Sequence, residues 1–217
     1  MSAIEAGHRF VKELLSALKQ AHTQDKLASN FIRMIVDAFE MGELSYRSQS
    51  LKNRMILPDW LYELEHRENR GTTKIHDATF ALHPYLNWWT WKSFYPEEKY
   101  SNWVDKTLGA FAIGSEEARL SADKVTFSAE NRYQIVFGGM DARTLYPLHK
   151  HRMEELYYFI AGQAELSHDG TTWQKLSAGS IYHNPPYQPH AIRTDEQAVL
   201  FVALFLPPFE WVSTMIE

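Results

Sequence analysis

At 217 residues, 45% hydrophobic and 23% charged, the chain has the size and composition of a globular domain that can fold around its own core, without a disulfide or metal staple. The net charge of -5, with no Lys/Arg run, argues against a nucleic-acid partner, and no apolar segment approaches the roughly 20 residues of a membrane span. With no cysteine, disulfides and thiol chemistry are excluded, and any metal must take nitrogen and oxygen ligands from His, Asp, Glu or Tyr.

The chain begins with Ser2-x-x-Glu5, the pattern of a helix capping box, and lacks the basic and apolar regions of a secretory signal, so a cytoplasmic protein is expected. From residue 5 to about residue 94 the apolar side chains recur at helical spacing. Val11, Leu14, Leu15 and Leu18 share one face, Ile32, Ile35, Val36 and Phe39 another, and Trp60, Leu61 and Leu64 predict a third helix. A Trp-rich stretch of Trp88, Trp89, Trp91, Phe94 and Tyr95 follows His83-Pro84 and ends at Pro96. Beyond residue 107 the texture changes to short apolar runs, 108–113, 133–137, 155–160 and 199–206, punctuated by Gly, Pro, Asp and Asn. Strands at such intervals predict a mainly β protein, with an α-helical N-terminal region over 1–106 and an antiparallel β-barrel over 107–217.

The segment 146–190 carries the chemistry. His149, His151 and Glu155 fall within seven positions, and Tyr157 follows. Residues two apart on an extended strand share a face, so His149 and His151 point one way, and Glu155 and Tyr157 point together from the next strand segment. The turn-rich stretch from Gly179 through Pro185 and Pro189 delivers His190 at the start of another strand, as the natural third imidazole. A divalent ion among such ligands can bind a carboxylate and stabilise negative charge developing beside it, and a phenol beside a cation is favoured in its ionised form.

The spacing His149-x-His151-x3-Glu155-x6-Gly162, followed by Gly179-x5-Pro185-x4-His190, resembles the paired motifs of the cupins, which are antiparallel β-barrels or jelly rolls. Three positions depart from that pattern: Arg143 and Tyr187 stand where a glycine is usual, and Thr194 where an asparagine is. The fuller string Tyr146-Pro-x-His149-x-His151-x3-Glu155-Leu-Tyr157, with Gln188-Pro189-His190-Ala191, is similar to the cupin dimethylsulfoniopropionate (DMSP) lyases, which also carry a helical N-terminal region. The resemblance implies metal ligation by His151, Glu155 and His190 with His149 alongside, the metal being Zn, Fe, Mn, Ni or Co. It implies Tyr157, and after it Tyr146, as the catalytic phenols of a β-elimination releasing dimethyl sulfide and acrylate.

Blander readings stand beside these. The Trp cluster fits core packing better than a substrate cage, although Trp88, Trp89, Trp91 and Tyr187 are candidates to hold a sulfonium by cation–π attraction. His8, His22, His66, His76, His83, His168 and His183 lack ligand spacing and are expected to be structural. Tyr146 precedes a proline and could merely shape the strand entry. A cupin oxygenase or isomerase acting on another small carboxylate or sugar, and a non-catalytic ligand-binding cupin, remain open alternatives. The aromatic helical half could cap the barrel or form a homodimer interface.

Overall fold

Helices occupy much of the first 82 residues and pack on one face of a large antiparallel sheet. The computed structural model describes residues 1–21, 26–42, 45–46, 56–66, 73–93, 95, 97–114, 127–129, 132–209 and 213–216; His22, Phe94 and Pro96 lie outside them. Helix α1 (Ala3–Gln20) starts at the expected capping box: the Glu5 amide donates to Ser2 Oγ at 3.3 Å, and the Ser2 amide donates to the Glu5 carboxylate at 2.7 Å. It buries Phe10, Leu14 and Leu18, and α2 (Lys26–Met41) buries Phe31, Ile35 and Phe39. Helix α3 (Asp59–His66) buries Leu61 and Leu64, and α4 (Thr73–Leu82) follows it. Among the described residues no helix is long and apolar enough to cross a membrane.

The Trp-rich stretch departs from its helical spacing. Trp88–Thr90 forms a strand against 108–110, because the indole of Trp89 lies over Gly109, where a Cβ would come within 2.7 Å of the ring. Short 3-10 turns then carry the chain to residue 107.

The strands are β1 (Ser45–Tyr46), β2 (Trp88–Thr90), β3 (Thr107–Ile113), β4 (Phe127–Ser128), β5 (Gln134–Met140), β6 (Leu145–Lys150), β7 (Glu155–Ser167), β8 (Gln174–Ser177), β9 (Ile181–Asn184), β10 (His190–Arg193), β11 (Val199–Phe205) and β12 (Thr214–Met215). The main sheet runs β12-β6-β10-β7-β11-β5-β3-β2, with β8 and β9 also paired to β7, and every pairing is antiparallel. Strand β7 belongs to two sheets. Its first half pairs with β11 and β9, its second with β10 and β8, and the turn between them falls at Gly162, in the left-handed region at φ 78°. The two sheets fold over each other into the expected barrel, the jelly-roll shape of a cupin.

The strands around β7 are buried on both faces, which explains their unbroken apolar runs. In β11, Leu200, Val202 and Leu204 join the helices in one core, while Val199, Phe201, Ala203 and Phe205 face the barrel interior. In β7 the same alternation sends Leu156 and Tyr158 outward to the helices and Tyr157 and Phe159 inward. Each fully buried Leu or Phe contributes about 1.5–3 kcal/mol, so the helical layer and the barrel stabilise one another through the shared sheet.

Candidate metal centre

Three imidazoles converge inside the barrel. His149 on β6 is the direct cross-strand partner of His190 on β10, and His151 follows two residues after His149. One ligand-capable atom from each lies within 4.8 Å of the others, and all three residues are buried. Each ring is fixed by a bond to backbone: His149 Nδ1 to the Pro147 carbonyl, His151 Nδ1 to that of Met153 and His190 Nδ1 to that of Gln188, all at 2.9 Å. Carbonyls only accept, so every Nδ1 carries a proton, and in a neutral ring Nε2 is the lone pair that can ligate.

Glu155, the first residue of β7, brings a carboxylate alongside two of the three rings. Its Oε2 lies 3.3 Å from both His151 Nε2 and His190 Nε2. For bonds of about 2.05 Å the edge of a tetrahedral metal site is about 3.4 Å, so these separations suit ligands of one ion. His190 is wholly buried, and its Nε2 stands out of line with Glu155, without a hydrogen-bond partner. Such an orphaned atom, costly in a sealed interior, is satisfied by a cation. The donor set of imidazole nitrogens and one carboxylate suits a divalent transition metal.

Burial and neighbouring charge tune the group. Burial, reinforced by the nearby His190, holds the His149 pKa well below the usual imidazole value. Burial also lowers that of His151, but the hydrogen bond and charge of Glu155 outweigh it and leave a net rise. For Glu155 burial works to raise the pKa, yet the His151 and His190 imidazoles beside it prevail and hold it well below the carboxylate range.

Two phenols border the cluster. Tyr157 points inward two residues after Glu155, and its phenol interacts with that carboxylate; burial first, and the Glu155 charge second, push its pKa well above 10. Tyr146 is stacked between His149, with ring centres 4.1 Å apart, and Trp103, at 4.6 Å. Tyr146 and His149 are three apart and would face opposite sides of a regular strand. A bulge opposite 190–192 inserts one extra residue into β6 and turns both inward. Burial, then Tyr95, raises the Tyr146 pKa well above 10.

The cluster forms the floor of a cavity of about 290 Å³. Trp89, Trp91, Tyr95, Phe111, Phe201 and Phe205 supply aromatic wall, and among the described residues the lining includes no lysine or arginine. The six residues expected from sequence, His149, His151, Glu155, His190, Tyr146 and Tyr157, are therefore brought together. Trp88 instead packs on Phe137 in the helix-facing core, and Tyr187 is exposed and does not line the cavity. His183 pairs with Glu154 at 2.8 Å and packs on Phe31 of α2, a structural role.

Sequence reasoning missed Phe201, Phe205 and Ser213, and did not single out Tyr95, which lines the cavity with Tyr146 and Ser213. The alternation of β11 could have found the two phenylalanines, since every second residue faces the interior. Ser213 reaches the cavity because β12 pairs with β6 at His149 and Lys150, a register that no local pattern announces.

The model of the dimethylsulfoniopropionate lyase family matches residues 62–201, well over half of the sequence. The chain belongs to the DMSP lyase family. It is 39% identical over 67 residues to the dimethylsulfoniopropionate lyase DddQ of Ruegeria pomeroyi, a match spanning 31% of this chain and 32% of that relative's length. The crystal structure of DddQ from Ruegeria pomeroyi DSS-3 superimposes with a TM-score of 0.65 at 20% identity, covering 95% of each chain. A chain from the structures of the DMSP lyases RdDddP and RnDddQII gives a TM-score of 0.68 at 15% identity over 100% of both. At these identities the two structures establish that this DMSP lyase family member shares their fold.

Proposed function

We propose that this protein is a carbon–sulfur lyase that binds a divalent transition metal through His149, His151, Glu155 and His190 and cleaves DMSP to dimethyl sulfide and acrylate. The observation that carries the reading is the convergence of three buried imidazoles, two of them 3.3 Å from the Glu155 carboxylate, beside two buried phenols at an aromatic cavity. When bound, the ion supplies the positive charge that pairs with a substrate carboxylate and with the negative charge developing next to it. With no lysine or arginine among the described lining residues, that task falls to the metal site, which supports a substrate whose other end is cationic.

The chain's own residues account for the remaining requirements. Trp89, Trp91 and the neighbouring rings can hold a sulfonium by cation–π attraction, worth about 0.5–2 kcal/mol where water is excluded. Tyr157 is the base: its phenol lines the cavity and interacts with Glu155, one of the proposed ligands. As the phenolate that a bound cation beside it would favour, it takes the proton from the carbon next to the carboxylate, that carbon–hydrogen pair becomes the new double bond, and the carbon–sulfur pair leaves with sulfur as dimethyl sulfide. Tyr146, stacked on His149 and lining the cavity beside Tyr95, is the second phenol and orients the substrate across the cavity.

Headspace gas chromatography for dimethyl sulfide tests this on purified protein given DMSP, with metal, after chelation and as Tyr157→Phe. We expect metal-dependent release that falls by about 10²–10⁴-fold in the variant. No release from folded, metal-loaded protein would remove DMSP as the substrate, and full activity in Tyr157→Phe would remove that residue as the base.

A further inference from the structure

A polar chain runs from the surface into the back of the site through two residues that the proposed mechanism does not use. Asn184 ends β9 directly opposite Glu155 on β7, and it is completely buried. Its Nδ2 donates to Glu155 Oε2 at 3.1 Å, the same oxygen that lies against His151 and His190. On its other side Asn184 Oδ1 accepts from Nε2 of His168 at 3.2 Å. His168 is only partly buried, just beyond the end of β7, and its ring packs beside Tyr182 at 5.0 Å.

An asparagine amide can sit either way round in a pocket of given shape, and its two ends have opposite hydrogen-bonding character. With Oδ1 turned inward, two acceptors would oppose each other and push the carboxylate away. The N–H of His168 on the outer side holds Oδ1 there, which obliges Nδ2 to face Glu155. We propose that Asn184, oriented by His168, is a positioning residue that holds the Glu155 carboxylate in its metal-binding orientation. The inference rests on the metal reading above, but the readout is metal affinity rather than lyase activity. Partners of ligating side chains typically change metal affinity 10–100-fold when removed.

The test is zinc affinity measured by competition with a chromophoric chelator, in wild type, Asn184→Ala, His168→Ala, His168→Gln, Glu155→Gln and the double variant Asn184→Ala/Glu155→Gln. Asn184→Ala should weaken zinc binding about 10–100-fold. His168→Ala should weaken it about fivefold, the scale of one ordinary hydrogen bond, and His168→Gln, which keeps a donor, should restore it. In the Glu155→Gln background the loss of Asn184 should have little further effect, because the residue acts through that carboxylate. A folded Asn184→Ala protein that binds zinc within about twofold of wild type would overturn the proposal, as would an equal loss in the Glu155→Gln background, which marks a general structural role. If Asn184→Ala does not fold, the two partly exposed His168 variants decide the matter: equal affinities in Ala and Gln overturn it. Wild-type protein that binds no zinc would overturn the metal reading together with this one.

Discussion

Gly162 is where β7 passes from the sheet bearing Glu155 and Tyr157 to the one bearing His190, and Gly162→Ala should show how much that corner matters. A Cβ there would lie 1.9 Å from the Ala198 carbonyl oxygen and 2.9 Å from its carbon, both backbone atoms that cannot rotate away. The φ of 78° adds a separate cost of about 1 kcal/mol for any residue with a side chain. Gly170, at φ 74°, serves as the internal control, since its Cβ would meet only the tip of Leu148 at 4.0 Å. Gly170→Ala should therefore lose about 1 kcal/mol from the backbone alone. Gly162→Ala should lose a further 1–3 kcal/mol or so, because β7 and β11 must separate to admit the methyl group. At about 2–4 °C per kcal/mol for a chain of this size, the Tm should fall by about 2–4 °C for Gly170→Ala and about 4–16 °C for Gly162→Ala. Thermal unfolding followed by circular dichroism measures both, and zinc affinity should fall in Gly162→Ala alone. Equal Tm values for the two variants would show that the close approach to Ala198 has no energetic weight.

Gly138 faces the cavity, and its Cβ would come within 2.3 Å of the Phe201 ring, which packs edge-on to Tyr157 at 4.9 Å. Gly138→Ala should cost about 1–3 kcal/mol and reduce lyase kcat/KM as Phe201 is displaced; unchanged melting and kinetics would refute this. Asp169 is held well below the usual carboxylate range by the amides of Thr172 and Thr171 and by the Ser167 hydroxyl. A folded-state pKa below the unfolded value of about 3.9 means stability present above that pH and lost as the pH falls below it. Asp169→Ala should thus melt earlier than wild type at pH 7 and converge on it near the acid limit; a gap independent of pH would contradict the assignment. Tyr187, 58% exposed at φ 61°, donates its amide to the His151 carbonyl at 2.8 Å. Tyr187→Gly should change stability by less than about 0.5 kcal/mol and Tyr187→Val should lose about 1–2 kcal/mol, because a β-branched residue tolerates that backbone least. Equal melting of the two variants would show that the left-handed turn is unimportant.

Much of this protein was legible before folding because the relevant signals are local. Capping at Ser2 and Glu5, the helical periods of α1 and α2, and the apolar runs of β3, β5, β7 and β11 follow from residues near one another in the chain. Spacing likewise put His149 beside His151 and Glu155 beside Tyr157, since strand parity is a property of the backbone. Even the departures at Arg143 and Tyr187, where a glycine was expected, fall on the two non-glycine residues found at positive φ among those described. Other features depended on contacts between distant segments. The Trp-rich stretch became a strand because Gly109 gave Trp89 a place to lie, overriding its helical spacing. Tyr146 faces inward only through a bulge set by pairing with β10, Ser213 enters the cavity only through the register of β12, and Asn184 meets Glu155 only across a strand pair. The sequence by itself determined the residue types and local directions of the site, because strand parity and turn chemistry are short-range. Their convergence on one point, the orphaned His190 nitrogen and the walls around it were decided by the tertiary structure, because strand register and barrel closure depend on pairings between residues far apart in the chain.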